Sequence, residues 1–426
     1  MSGLVLLLFR AVLVALDVPI AVALAILALA AFWIAQGFDS LVTSAVTLFS
    51  ASTNFPLLAI PLFILAGTIM NTAGITRRLV ALASALVGFV RGGLAMVNVA
   101  ASLFFAEISG SAVADVAALG SVLLPAMEKR GYPREFAAAV TSSSASLAIV
   151  IPPSIPMILY AVMADASVVQ LFVAGILPGL LGGGLMMVLC ALYARRHGFP
   201  VEQAFDLCRL WTATREAGWA LLLPVVILGG IFTGTVTATE AAGLAVVAAI
   251  LVGALYRELS LGAILQGARE GVVQTAVVML LIATSALLGE YLTEARIPQA
   301  LTTAITGLTS EPWAVLALLN LLFLMLGCFL HGAAAIILVV PIVLPIVRAV
   351  GIDPVHFGLV VTLNIAIGQQ TPPVASVLMT ACSIAKADIW TVTRWNLPFI
   401  GVLLFVLLLV TYVPAIPLAL VELIFR

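Results

Sequence analysis

Ala148-Ile-Val-Ile-Pro-Pro-Ser-Ile-Pro156 and Gly368-Gln-Gln-Thr-Pro-Pro373 put tandem prolines in the middle of two uncharged runs, residues 136–164 and 354–385. A proline has no N–H, so it frees the carbonyl four residues back. The carbonyls concerned belong to Ala148 and Ile149 in one run, and to Gly368 and Gln369 in the other. The residue before a proline leaves the helical region, while proline itself fits the first turn of a new helix. Each run therefore reads as two half-helices. The first ends in free carbonyls suited to a hard cation, and the second aims its positive dipole end at the same depth, where a carboxylate could sit. In a membrane such a break is tolerated only where it faces protein or a watery cavity.

The surroundings of the two stretches repeat. Pro125, Pro152, Pro153 and Pro178 return as Pro345, Pro372, Pro373 and Pro398, each 220 residues later, and Gly131 returns as Gly351. Two more breaks are predicted, at Ser109-Gly110-Ser111 and within Gly327-Cys-Phe-Leu-His331-Gly332, again near the middle of their apolar runs. Two related halves, often inverted, with the site where they meet, are a recurrent build of secondary transporters. The expected division is 1–215 and 216–426, with the transport elements at about 56–164 and 271–388.

Composition agrees. Of 426 residues 64% are hydrophobic and 9% charged, against about 25% charged in a soluble domain. A span needs about 20 apolar residues, and the uncharged runs accommodate roughly eleven or twelve passes. The net charge of -1 offers no basic surface for nucleic acid. The only lysines, Lys129 and Lys386, lie in no phosphate-cradling loop, so ATP hydrolysis by that route is excluded. The four scattered cysteines suggest neither zinc nor a disulfide framework. Met1 to Phe9 lacks a basic start and a cleavage site, and reads as a retained first helix. Residues 195–216 form the one polar stretch read as a long loop. With Arg195, Arg196, Arg209 and Arg215 it is the best candidate for the cytoplasmic face.

Hydroxyls and amides cluster at the breaks: Thr141-Ser-Ser-Ser144-Ala-Ser146 before the first tandem proline, and Asn364 with Gln369-Gln370-Thr371 around the second. Such groups either line a site or bond back to helices and glue them together. Glu107 and Asp115 flank the Ser109–Ser111 break, where an ionisable group is costly unless it has a use. His331, isolated in an uncharged run, reads as substrate-facing or as a hydrogen-bonded core histidine. Thr237-Ala-Thr-Glu240 reads as a capping box.

Pro61-Leu-Phe-Ile-Leu-Ala-Gly67, Ser109-Gly-Ser-Ala-Val-Ala-Asp115, Gly120-Ser-Val-Leu-Leu-Pro125, Ile151-Pro-Pro-Ser-Ile-Pro156, Thr237-Ala-Thr-Glu-Ala-Ala242 and Gly368-Gln-Gln-Thr-Pro-Pro373 resemble the large membrane subunit of tripartite ATP-independent periplasmic (TRAP) transporters, over essentially the whole chain. The resemblance implies an all-α integral membrane protein of two inverted repeats, with re-entrant hairpins and broken helices, that works as an elevator. It implies sodium-driven uptake of a small organic acid (a C4-dicarboxylate, sialic acid or a similar carboxylate) without ATP, in the bacterial inner membrane. The implied partners are a small four-helix membrane subunit, expected as a separate chain, and a periplasmic binding protein, besides membrane lipid. By position, the implied sodium ligands fall on Ser109, Gly110, Ser111 and Pro152, and on Gly332, Gly368, Thr371 and Pro372; no other metal is expected. Ser144, Pro153, Ser154, His331, Asn364 and Gln370 are expected to face the substrate. The chain departs from the usual pattern at His331, where an acid is common, and at Gln369 and Gln370, where apolar residues are common.

Three other readings compete. A stand-alone sodium:dicarboxylate symporter shares the composition, and a binding protein would distinguish it. An intramembrane hydrolase needs a Ser/His dyad, H-E-x-x-H or paired aspartates, and no such motif accompanies His197, His331 and His356. A passive channel suits the repeated breaks less well than alternating access.

Overall fold

The computed structural model describes residues 18–37, 40–201, 204–259 and 261–425. The predicted first helix at Met1 to Phe9 lies outside them. The chain is all-α. It opens with α1 (Ile20–Gln36), α2 (Ser40–Ser52) and a 3-10 turn, Phe55–Leu58, that runs into α3 (Ala59–Thr72) and α4 (Ile75–Val87). There follow α5 (Gly93–Ser109), α6 (Ala112–Lys129), α7 (Arg134–Ala145), α8 (Ile155–Ala164) and α9 (Val168–His197). After α10 (Leu207–Phe232), α11 (Ala238–Leu255) and α12 (Leu261–Glu294) come α13 (Ile297–Leu308), α14 (Pro312–Phe329) and α15 (Gly332–Ala349). The chain ends with α16 (Pro354–Gly368), α17 (Ser376–Ala385), α18 (Ile389–Tyr412) and α19 (Ala415–Phe425).

The repeat legible in the prolines extends to whole helices. Each of α13 to α18 starts 219 to 222 residues after its counterpart among α4 to α9. Both tandem prolines are joined by cis peptide bonds. All four predicted breaks are present: between α5 and α6, between α7 and α8, between α14 and α15, and between α16 and α17. Among the described residues eight helices are long and apolar enough to cross a membrane. That is fewer than the eleven or twelve passes expected; other apolar helices among the described residues, such as Ala21–Gln36, Gly93–Glu107, Pro354–Gly368 and Ala415–Phe425, have fewer than 18 residues.

Local chemistry sets the boundaries. Ser154, Ser167, Asp206, Thr237 and Asp388 cap the helices that follow them by accepting backbone N–H groups. Thr237 and Glu240 form the reciprocal capping box. The loop expected at 195–216 is much shorter. Arg195, Arg196 and His197 continue α9 as a basic last turn that complements the helix dipole, and Gly198 terminates it at φ 67. Asp206 then starts α10, with Trp211 and Arg215 on it. The seam proposed between residues 215 and 216 consequently falls inside a helix.

The two halves exchange their short helices. α17, after the second tandem proline, packs on α6 and α7 of the first half; α8, after the first, packs on α15 of the second. The long α12 lies against α1, α2, α3 and α15. Small side chains make the close approaches: Ala137, Ala138, Ala139, Ser142, Ser143 and Ala145 bury nearly all of α7, as expected where helices meet without a hydrophobic drive between them. At Gly327 an added Cβ would lie 3.0 Å from the Gly368 Cα, so the α14 and α16 backbones are in contact.

Candidate substrate and ion site

The first pair of breaks is closed by backbone contacts. The Ile155 N–H donates to the Gly110 carbonyl at 3.3 Å. Gly110 sits at φ 61, and a Cβ there would come within 2.7 Å of the Pro153 carbonyl oxygen. Only glycine fits both constraints. The second pair has a corresponding link, Val374 N–H to the Cys328 carbonyl at 3.1 Å.

Beside Gly110, the Ser109 hydroxyl donates to Oδ1 of the fully buried Asp115 and accepts the Ser111 N–H at 3.2 Å. Asp115 Oδ2 has no hydrogen-bond partner among the described residues. Ser111 accepts the Ala114 N–H as N-cap of α6. In the second half the Thr371 hydroxyl donates to the Ile367 carbonyl at 2.9 Å, and Gly332 opens α15 against the side chains of Gln369 and Ile365.

The carbonyls expected to be free at the tandem prolines are largely engaged. Ile149 O accepts the Ser154 hydroxyl at 2.6 Å, Gly368 O accepts the Thr371 N–H at 3.0 Å, and Gln369 O accepts the Val377 N–H at 3.2 Å. Ser154 and Val377 reach back from beyond the proline pairs, and the Thr371 N–H closes a turn just ahead of the second pair. Each such oxygen keeps a second lone pair for a cation.

Between the two pairs of breaks lies a cavity of about 440 Å³. Three helix beginnings border it: Ser111 to Ala114 of α6, Ile155 and Pro156 of α8, and His331 with Ala333 of α15. Gly110, Gln274 and Gln369 complete its polar lining, and Ile64, Leu159 and Val277 are among its apolar walls. Among the described lining residues none is Asp, Glu, Lys or Arg. An adjoining cavity of about 130 Å³, lined by Gly67, Thr68, Asn71, Ser109, Ser111 and Gln274, sits beside the Ser109–Gly110–Ser111 turn. Three roughly +0.5 dipole ends around an otherwise uncharged cavity favour an anion.

Not every residue expected at the substrate faces this cavity. Of the six, His331 lines it as the N-cap of α15, with no side-chain cap bond. Pro153 and Ser154 border the break, with Ser154 occupied as the α8 cap. Ser144, Asn364 and Gln370 are fully buried elsewhere. Ser144 is bonded to Ser102 at 2.8 Å, and Asn364 donates to Asn320 at 2.7 Å. Gln370 Oε1 accepts from Ser142 at 2.5 Å and from Asn396 at 3.0 Å, while its Nε2 donates to Ser146. These three join helices, the gluing role weighed for the hydroxyl run. Conversely, Gln274 lines both cavities and was not singled out; its only signal is an amide within the uncharged run 271–289.

Comparison with known proteins agrees with this architecture. Residues 7–416 match the model of the tripartite ATP-independent periplasmic transporter DctM component. The isethionate TRAP transporter permease DctMQ of Oleidesulfovibrio alaskensis is 41% identical over 96% of this chain, which spans 65% of that protein's length. The C4-dicarboxylate TRAP transporter large permease DctM of Pseudomonas aeruginosa is 40% identical over 90% of both chains. The crystal structure of the Alcanivorax borkumensis YdaH transporter superposes with a TM-score of 0.64 at 16% identity, covering 88% of each chain, and so shares the fold. The chain belongs to the DctM family of TRAP transporters: it is a multi-pass large permease, a transporter and not an enzyme.

Proposed function

We propose that this permease carries a small organic acid into the cell with sodium, in a bacterial inner membrane, together with a small membrane subunit and a periplasmic binding protein that delivers the acid. The observation that carries the reading is the cavity of about 440 Å³ bordered by the first turns of α6, α8 and α15. Its dipole ends and backbone N–H groups suit a carboxylate or a chemically similar anion. His331, Gln274 and Gln369 supply hydrogen bonds from three different elements.

Sodium is assigned to the turns beside the cavity, at Ser109, Gly110, Ser111 and Pro152 and at Gly332, Gly368, Thr371 and Pro372. Second lone pairs of engaged carbonyls, hydroxyl oxygens and, in the first half, the unpartnered Asp115 Oδ2 make a hard-oxygen environment suited to the ion. Bound sodium offsets the charge of the acid and lowers the cost of taking it out of water. The exchanged hairpins then move as a unit along the wall formed by α12, in the manner of an elevator.

The test is uptake by proteoliposomes of the permease with its small subunit. A C4-dicarboxylate, isethionate and sialic acid are offered with and without a binding protein, under a sodium gradient or a matched potassium gradient. Uptake that needs both the sodium gradient and the binding protein supports the reading. Uptake indifferent to sodium removes the coupling, and uptake without the binding protein makes the chain a self-sufficient symporter.

A further inference from the structure

Sharing no lining residue with the central cavity, a second and larger one of about 840 Å³ is bordered by α4, α10 and α11. Its lining joins Arg77, Arg78 and Arg215 to Trp211, Trp219 and Tyr256. We propose that this groove binds the headgroup of an anionic glycerophospholipid in the cytoplasmic leaflet.

Charge comes first. Arg77 and Arg78 share one carboxylate, each 2.8 Å from Glu258 Oε1, so this trio keeps one positive charge. Arg78 is also held over the Tyr256 ring, 3.8 Å from its centroid, which fixes the guanidinium at the wall. Arg215 is exposed and forms no ion pair among the described residues. Glu216 also lines the groove; counting it and Glu258, the arginines keep an excess of one positive charge. Arg195, Arg196 and Arg209 lie on the neighbouring ends of α9 and α10, which marks this face as cytoplasmic by the positive-inside rule. That leaflet carries the anionic lipids, and basic pockets between spans on this side suit their headgroups.

The second observation is the path below the groove. Along α10, Trp211, Arg215, Trp219, Leu222 and Val226 fall at spacings of four, four, three and four, which is one helix face. Trp211 and Trp219 are 72% and 50% exposed, and Leu222 and Val226 continue the stripe outward-facing. Along the adjacent α11, Leu255 lines the groove and Leu251, Val247 and Leu244 continue from it, all exposed. Two apolar stripes thus run away from an arginine-lined, tryptophan-rimmed mouth. A lone phosphate would use the mouth alone; a phospholipid uses the mouth and both stripes.

The test uses the purified full chain reconstituted in phosphatidylcholine bilayers containing a minority of brominated lipid, either phosphatidylglycerol or phosphatidylcholine, with tryptophan fluorescence as the readout. Brominated phosphatidylglycerol should occupy the groove on the order of fivefold more than brominated phosphatidylcholine, the ratio expected from about one uncompensated arginine near the surface. The excess quenching should disappear in the Trp211→Phe/Trp219→Phe variant, fall in Arg77→Ala/Arg215→Ala, and persist in Arg215→Lys. Arg77 and Arg215 are exposed, so these variants keep the fold. Equal quenching by the two lipids, or an excess that survives loss of the arginines, overturns the proposal. Neither result bears on transport through the central cavity.

Discussion

The Gln370 side chain of the second repeat accepts the Ser142 hydroxyl of the first at 2.5 Å, both residues fully buried. Asn396 donates to the same oxygen at 3.0 Å, and Ser143 in turn donates to Asn396. One glutamine therefore joins α7, α18 and the second tandem-proline break. It holds the break against the other half.

Gln370→Ala removes partners from Ser142, Ser146 and Asn396 at once. Leaving buried polar groups unpaired costs about 1–3 kcal/mol, although couplings between membrane helices average nearer ~0.6 kcal/mol. Thermal unfolding of the purified protein in detergent should shift down measurably. The double variant with Ser142→Ala should lose less than the sum of the single changes. Additive losses would show that the two side chains do not depend on each other.

Gly110→Ala should be more damaging than its size suggests. The new Cβ meets the Pro153 carbonyl at 2.7 Å, and the residue stands at φ 61. A side chain in that region costs about 1–2 kcal/mol before the clash is counted. Gly131→Ala makes a fair control: it shares a positive φ, 83, but nothing lies within 4 Å of its Cβ. Transport and thermal stability should fall further in Gly110→Ala than in Gly131→Ala; equal losses would mean that the close approach at the break is unimportant.

The breaks, the repeat and the Thr237–Glu240 capping box were legible in the sequence because proline, glycine and capping chemistry act within a few residues. The inward or outward aspect of a polar side chain was not. Ser144 and Asn364 are buried because other helices of their own halves bring Ser102 and Asn320 against them, and Gln370 because the first half brings Ser142; no local pattern encodes those pairings. Gln274 was missed for the converse reason. It belongs to a long apolar helix without a break, and the hairpins packed nearby are what give it a cavity to face. The region 195–216 read as loop from its charges, yet Arg195, Arg196 and Arg215 are helical.

Glu258 gives a pH-dependent signature outside the membrane. The Arg78 guanidinium, by its hydrogen bond and charge, and then Arg77 hold its carboxyl below the ordinary value of 4.5. A depressed folded-state value stabilises the protein above the unfolded value, and the contribution is lost as pH falls through the folded one. The pair is partly exposed, so the effect is about 0–1 kcal/mol. Glu258→Gln should therefore lower the unfolding temperature slightly at neutral pH, and the difference from the parent should close in acid below the carboxylate range. A difference that grows in acid would contradict the ion-pair origin.

Thr371→Ala tests the sodium assignment more cleanly than Ser109→Ala. Among the described residues the Thr371 hydroxyl donates only to the Ile367 carbonyl at the end of α16, so its loss removes a candidate oxygen with little effect on packing. Ser109 instead supplies the only hydrogen bond to the buried Asp115 carboxyl among the described residues, and its loss leaves both carboxylate oxygens without a partner there. Thr371→Ala should insert and run as a monodisperse species on size exclusion, yet need severalfold more sodium for half-maximal uptake. Ser109→Ala should show the same sodium shift together with reduced thermal stability. Uptake that keeps the parent's sodium response in both variants would remove sodium from these turns.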